Sequence, residues 1–487
     1  MIRHPEFYLE KLDQKGLGEI ISGSLWLMEK TGLLIQDEEL AGLIDGKGIA
    51  GVEVGRAGRL RLTAEKPMAL LALAPPVWDF QARKESNSRR IGGDGLCVSP
   101  GYGSTFVADL DGRRREATLD DFRSFVGLSQ ISPAIDICSA VVVEPSDVLT
   151  HKRPEIMTAI QLVGSDKPIM GSVMGAEGAE RSFRAAEIIL GDLAGRPWLL
   201  GLININSPLR LDKRMAGALR VYLQYGQPVI FTPGASMGIT GPVTVAGNMA
   251  QSYADLMGAV AVSQIIRPGH PVIVGNGGFG GNLHTGNPGY GRPENALATI
   301  VGAQVARKLR LPYRCSAAVT SSLVPDGRTA LEHAVTAMAA WNGGASLALQ
   351  AAGILDSINS MSFEQFVMDL ELWGYIERLG RPIETDPEHL CLDLISQTPS
   401  SYLSAEHTIK NYKKELYAPL FGKTQKIDAI KDITVLAGQK LDELKRGPSG
   451  VTPCDREALR ALGEFVSFGE PEMKALVDRQ FDIISSQ

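Results

Sequence analysis

Apolar residues along this chain follow two rhythms in succession. Near the start, Ile20, Ile21, Leu25, Trp26 and Met28 recur at helical spacing across 18–31, and Gly32 is placed to cap the helix. From about Leu96 onward, a short β-branched run, a loop and an amphipathic helix repeat roughly every 30 to 40 residues. The runs predicted as strands are 96–99 or 104–108, then 135–143, 168–173, 198–205, 228–233, 271–276, 314–320 and 345–350, eight in all. Capping boxes at Thr118–Asp121 and Ser362–Gln365 mark helix starts independently of the periodicity.

The strand runs are almost continuously apolar rather than alternating, as strands of a parallel sheet covered by helices must be. Eight successive βα units predict a (β/α)8 TIM barrel. An open doubly wound sheet would need a glycine-rich first turn followed about 20 residues later by an acid, and none follows the first run. The chain divides accordingly into an N-terminal helical or α+β subdomain (1–90), the barrel (91–382) and a helical C-terminal extension (383–487). Within the extension, Thr452 and Pro453 read as an N-cap and first helical position.

Composition narrows the function classes. With 49 Lys+Arg against 55 Asp+Glu the formal charge is −6, and no basic stripe interleaved with aromatics points to nucleic acid. Arg113, Arg114 and Arg115 sit among acids and read as a solvated hairpin turn. Five scattered cysteines without a C-x-x-C pair indicate neither a disulfide framework nor a zinc knuckle and fit a reducing cytoplasm. No leader pattern and no membrane-length apolar run is present, so neither secretion nor membrane spanning is expected.

In a barrel of this kind, chemistry belongs to the loops after the strands. Those loops carry amides, hydroxyls and glycines, but one carboxylate (Glu144), one histidine (His284) and no lysine. A glycosidase would need two carboxylates and a Schiff-base aldolase a buried amine. The glycine-rich stretch 276–285 reads either as a phosphate-wrapping loop or as an active-site lid. His284 has no second ligand at metal spacing, and the group His389, Cys391, Asp393 and His407 matches no zinc pattern, so no metal site is expected. Tyr102, Phe106, Phe231, Phe279, Tyr290 and Trp341 lie near strand ends. Rings without charge pairs suit a quaternary ammonium, which accepts no strong hydrogen bond.

Six motifs in order carry a resemblance: Asn204-x-x-Ser-Pro-Leu209, Gly226-Gln-Pro-Val229, Met237-Gly-x-Thr-Gly-Pro-Val-Thr-x-Ala-Gly247, Arg267-Pro-Gly-His-Pro-Val272, Gly291-x-Pro-Glu294 and Ala352-Gly-x-Leu-Asp356. Together they resemble the trimethylamine methyltransferase superfamily over about residues 90–422. The resemblance implies transfer of a methyl group from a methylated amine to the Co(I) corrinoid (cobalamin) of a separate carrier protein. No Asp-x-His-x-x-Gly corrinoid loop occurs in this sequence, in keeping with a cofactor presented by a partner.

Two features depart from the founding members. The sequence contains no pyrrolysine, and Gln350 stands where several relatives have His. Members without pyrrolysine are similar to enzymes demethylating glycine betaine, proline betaine or carnitine. On this reading Tyr102, Phe231 and Phe279 are expected around the cationic head. Gln350, Asn204, Asn206, Asn276 and His284 are expected as polar contacts to the other end, with His407 reaching the barrel mouth from a Glu-His-Thr turn. A homo-oligomer is expected. Tetrahydrofolate as direct acceptor, a phosphate-binding lyase or isomerase, and a non-catalytic betaine binder remain as alternatives.

Overall fold

Gly95–Val98 is the first barrel strand, and Ile169–Met170, Leu199–Ile205, Val229–Pro233, Val272–Gly275, Tyr313–Ser316 and Leu347–Leu349 follow in parallel. The computed structural model describes residues 1–275, 279–286, 288–421, 433–446 and 450–467. The last strand returns to the first, with Leu347 opposite Cys97. The second rung is a single bridge, Cys138 to Ile169, tied to the first strand where Val98 O accepts from Asp136 N at 2.8 Å. The ring is thereby closed, and the expected barrel is the observed fold.

The strand predicted over 135–143 is therefore much shorter. Past Cys138 the chain turns to the loop above the first strand, where Val141 O accepts from Gly103 N and Val143 bridges Ser104. Of the two alternatives for the first strand, 95–98 enters the barrel. Phe106–Ala108 instead joins Arg114–Glu116, Ile354–Leu355 and Ser360–Met361 in a small separate sheet.

Eight helices cover the outside, one after each rung, from Leu119–Ile131 to Phe363–Leu379. Both predicted capping residues act: Thr118 accepts from Asp121 N while Asp121 accepts from Thr118 N, and Ser362 accepts from Gln365 N. The hairpin of Trp78–Phe80 and Arg89–Ile91 plugs the N-terminal end of the barrel, placing Phe80 and Ile91 against interior Leu200 and Ile230. Beside it, Lys167 Nζ donates to the carbonyls of Ser129, Ser132 and Ile135 at 2.6–2.7 Å. It thus caps the last carbonyls of Leu119–Ile131 with a cation.

The flanking segments dock on this frame. Gln14–Lys30 lies along Val245–Ile266, with Ser24 Oγ donating to Ala250 O. Ile433–Arg446 packs on Phe363–Leu379, and Arg456–Ser467 on Gly175–Leu190. Thr452 is not the helix cap expected of it: Asp166 takes both its N–H, at 2.7 Å, and its hydroxyl, at 3.0 Å. The helix starts later, where Asp455 accepts from Glu457 N and Ala458 N. Of the helices predicted in 424–487, residues 424–432, 447–449 and 468–487 lie outside the described residues. Among the described residues no helix is long and apolar enough to cross a membrane.

Candidate active site

Side chains on a barrel strand alternate between the interior and the helix layer, and the two hydrophobic clusters of this protein separate on that alternation. Cys97, Ile137, Met170, Leu200, Leu202, Ile230, Ile273, Leu347 and Leu349 fill the interior. Ile203, Val229, Phe231, Val274, Tyr313 and Cys315 belong to the outer cluster under the helices. Carried toward the C-terminal ends, the same alternation aims Ser99, Ser139, Asn204, Thr232, Arg314 and Ser316 inward. A polar layer therefore lies over the apolar plug.

Parallel register places Asn204 opposite Thr232 and Gly275 opposite Arg314. Gly275 is fixed by crowding, since a Cβ there would sit 2.5 Å from Thr232 Oγ1. Within the layer, Ser99 Oγ, Ser139 Oγ, Thr232 Oγ1 and Arg314 Nε are buried without a hydrogen-bond partner among the described residues. Buried polar atoms are nearly always paired in folded proteins. These four unpaired atoms belong to side chains that four different strands aim inward.

Arg314, 2 % exposed, is the charged member of the layer. Its Nη2 donates to Gln350 Oε1 at 2.9 Å, and the same oxygen accepts from Ser316 Oγ at 2.6 Å. Gln350 Nε2 in turn donates to Tyr102 O at 3.1 Å, and Gln350 itself holds a left-handed φ of 62°. Burial lowers the Arg314 guanidinium from its ordinary value, opposed by Cys315, Tyr290, Tyr313 and Tyr102 nearby. Burial also raises the phenols of Tyr102 and Tyr290, the latter to about 12, so both stay neutral at physiological pH.

Loops above the layer are held by pairs of their own. Glu144, the carboxylate expected at a strand end, is bound by Arg153 at 2.9 Å. Glu332 accepts from Thr320 Oγ1, Ser321 N and Arg328 Nε. It also lies against the Gly291 turn, where a Cβ would sit 1.9 Å from its Oε2.

The profile of the trimethylamine methyltransferase (MTTB) family matches residues 1–432 of this chain. The chain belongs to that family. It is 35 % identical over 366 residues to glycine betaine methyltransferase of Desulfitobacterium hafniense (strain Y51), covering 74 % of this chain and 76 % of the relative. Identity to proline betaine:corrinoid methyltransferase of Eubacterium limosum is 28 % over 368 residues, covering 71 % and 75 %. Identity to L-carnitine:corrinoid methyltransferase of the same organism is 24 % over 435 residues, covering 86 % and 87 %.

Within this member of the trimethylamine methyltransferase family, the residues expected at the site separate into groups. Gln350 and half-buried Tyr102 meet at the mouth, and exposed Asn204 lies on the same inner wall. Phe231 does not wall the site. Its neighbours Ile230 and Thr232 take the inward positions, and alternation turns its ring into the outer core. Asn206 donates to Asp212 at 3.2 Å and bridges Arg210, which commits it to its own loop.

His284 is exposed on a flap formed where Phe279–Gly281 pairs with Ser236–Met237 and Pro288–Gly289. It lines a separate cleft of about 420 Å³ with Met237, Arg292 and Glu294. Asn276 and the Phe279 side chain lie outside the described residues. His407 is not brought to the mouth. Its helix, Glu406–Glu415, is tied to Arg378 at the end of the last barrel helix, and barrel helices run back toward the opposite face.

The residue that sequence reading missed is Arg314. Its signal was visible as a charge at the head of an apolar run in a sheet whose strands should be apolar throughout.

Proposed function

We propose that this chain transfers a methyl group from a quaternary amine, glycine betaine or a related betaine, to the Co(I) corrinoid of a separate carrier protein. The observation carrying this reading is the composition of the mouth. Neutral tyrosines and hydroxyls surround one buried arginine, and the nearest strand-end carboxylate, Glu144, is already paired. Family membership and the betaine-named relatives support the same chemistry.

Methyl transfer from R₄N⁺ explains why so little acid–base equipment is needed. The C–N bond breaks with both electrons going to nitrogen, so the amine leaves neutral and no proton has to move. The Co(I) corrinoid supplies the electron pair that accepts the methyl group. What remains for this chain is to orient the amine, exclude water from it and leave the mouth open to the carrier. On this reading the ring of half-buried Tyr102 faces the ammonium, and exposed Asn204 is a polar contact.

Co(I) survives only in a reducing compartment, and the five cysteines are all free thiols, which fits a cytoplasmic enzyme. The same reading keeps 1–90, 91–382 and 383–487 as subdomain, barrel and extension, and expects a homo-oligomer.

The test is to follow loss of the Co(I) absorbance of reduced cobalamin on adding the protein and glycine betaine, proline betaine, carnitine, choline or trimethylamine. Saturable, amine-dependent methylation of cobalt is expected. Turnover with tetrahydrofolate in the absence of corrinoid would replace the acceptor. Binding of inorganic phosphate alone would replace the reaction class.

A further inference from the structure

Among the described residues Arg314 is a buried cation without an anion. Among the described residues its side chain makes one hydrogen bond, to a neutral amide, and no ion pair, and its Nε has no partner. Buried charges are normally paired, because removing an isolated one from water is costly. Here the structure instead holds the guanidinium in place from one side. Gln350 is fixed by Ser316 and by Tyr102 O, and it is kept in a left-handed backbone conformation that non-glycine residues adopt mainly where surroundings impose it. One edge of the planar fork is tethered through Nη2, while Nε stays unpaired among the described residues.

Resting on the methyl-transfer reading, we infer that Arg314 binds the carboxylate of the substrate and so restricts this site to zwitterionic amines. A guanidinium fork matches a carboxylate in a two-point, charge-assisted geometry that an ammonium could not reproduce. The electrostatics point the same way. A bare quaternary cation such as choline would enter beside a fixed buried cation, whereas a betaine brings the neutralising charge with it. Gln350 is then a positioning residue. Its amide is spent on Arg314, Ser316 and the Tyr102 carbonyl rather than offered to the substrate.

Calorimetric titration of the full chain with glycine betaine, choline and betaine methyl ester tests this directly. Glycine betaine is expected to bind at least about 100-fold more tightly than either ligand lacking a free carboxylate, and Arg314→Gln is expected to abolish that preference. Arg314→Lys should fall between, retaining charge without the fork. Equal affinity for betaine and choline in the unaltered protein, or undiminished betaine binding by Arg314→Gln, would overturn the inference. The wild-type comparison decides the matter even where a variant fails to fold. Cobalamin methylation separates the two readings: methylation by choline as efficient as by betaine removes the anchor and keeps methyl transfer. Arg314-dependent betaine binding with no methylation by any amine does the reverse.

Discussion

Gln350 Oε1 lies 2.9 Å from Arg314 Nη2, so an uncharged amide fills the position where a carboxylate would ordinarily neutralise a buried arginine. Gln350→Glu changes little in shape and installs that carboxylate. Glycine betaine affinity is expected to fall by about 10- to 100-fold, because Arg314 would then be satisfied internally, while thermal stability is maintained or raised. Titration calorimetry paired with a melting curve checks both; unchanged affinity would show that Arg314 does not face the ligand.

Tyr102 and Phe231 were expected to share a role, and the structure separates them. Tyr102→Leu should weaken binding of a quaternary amine by about 10-fold through loss of the ring. Phe231→Leu should leave affinity unchanged and lower stability by about 1 kcal/mol, since its ring packs under the helices. The two variants, compared by calorimetry and by denaturant titration, test which face of the strand meets the ligand.

Asp255, on Val245–Ile266, accepts from Ser207 Oγ and Leu209 N, both at 2.6 Å, and so ties the loop following Leu199–Ile205 to a helix. Burial pushes its carboxyl up to about 7 against the pull of those two hydrogen bonds. A folded pKa above the unfolded value means that the folded state holds the proton more tightly. This contribution to stability is fully present below about pH 4 and is lost as pH rises through about 7. Melting temperature measured between pH 5 and 9 should therefore show a declining component that Asp255→Asn removes. Parallel pH profiles for the two proteins would refute the assignment.

Lys167 satisfies three carbonyls at the base of the barrel, and burial pulls its ammonium down to about 8, leaving it mostly charged at neutral pH. Lys167→Met keeps the stem and deletes the donors. A loss of about 2–4 kcal/mol is expected from the stranded carbonyls, read by denaturant unfolding at pH 7, with betaine affinity intact in the folded fraction.

The sequence by itself determined the architecture. Eight apolar runs separated by capped helices leave few ways to bury both faces of a sheet, and the ring closes between Leu347 and Cys97 as that pattern requires. The ordered motifs determined the family, because each is a local string that needs no neighbours to be read. What it left open was which side chains meet. A one-residue step in a strand exchanges interior for exterior, so Phe231 went outward while Thr232 took the mouth. His407 depended on where a long extension docks, a matter of contacts distant in the chain. Arg314 and Gln350 are separated by 36 positions and meet only because the seventh and last strands are neighbours in the ring. The meaning of that arginine depends on its having no carboxylate partner among the described residues, which only the packed barrel interior decides.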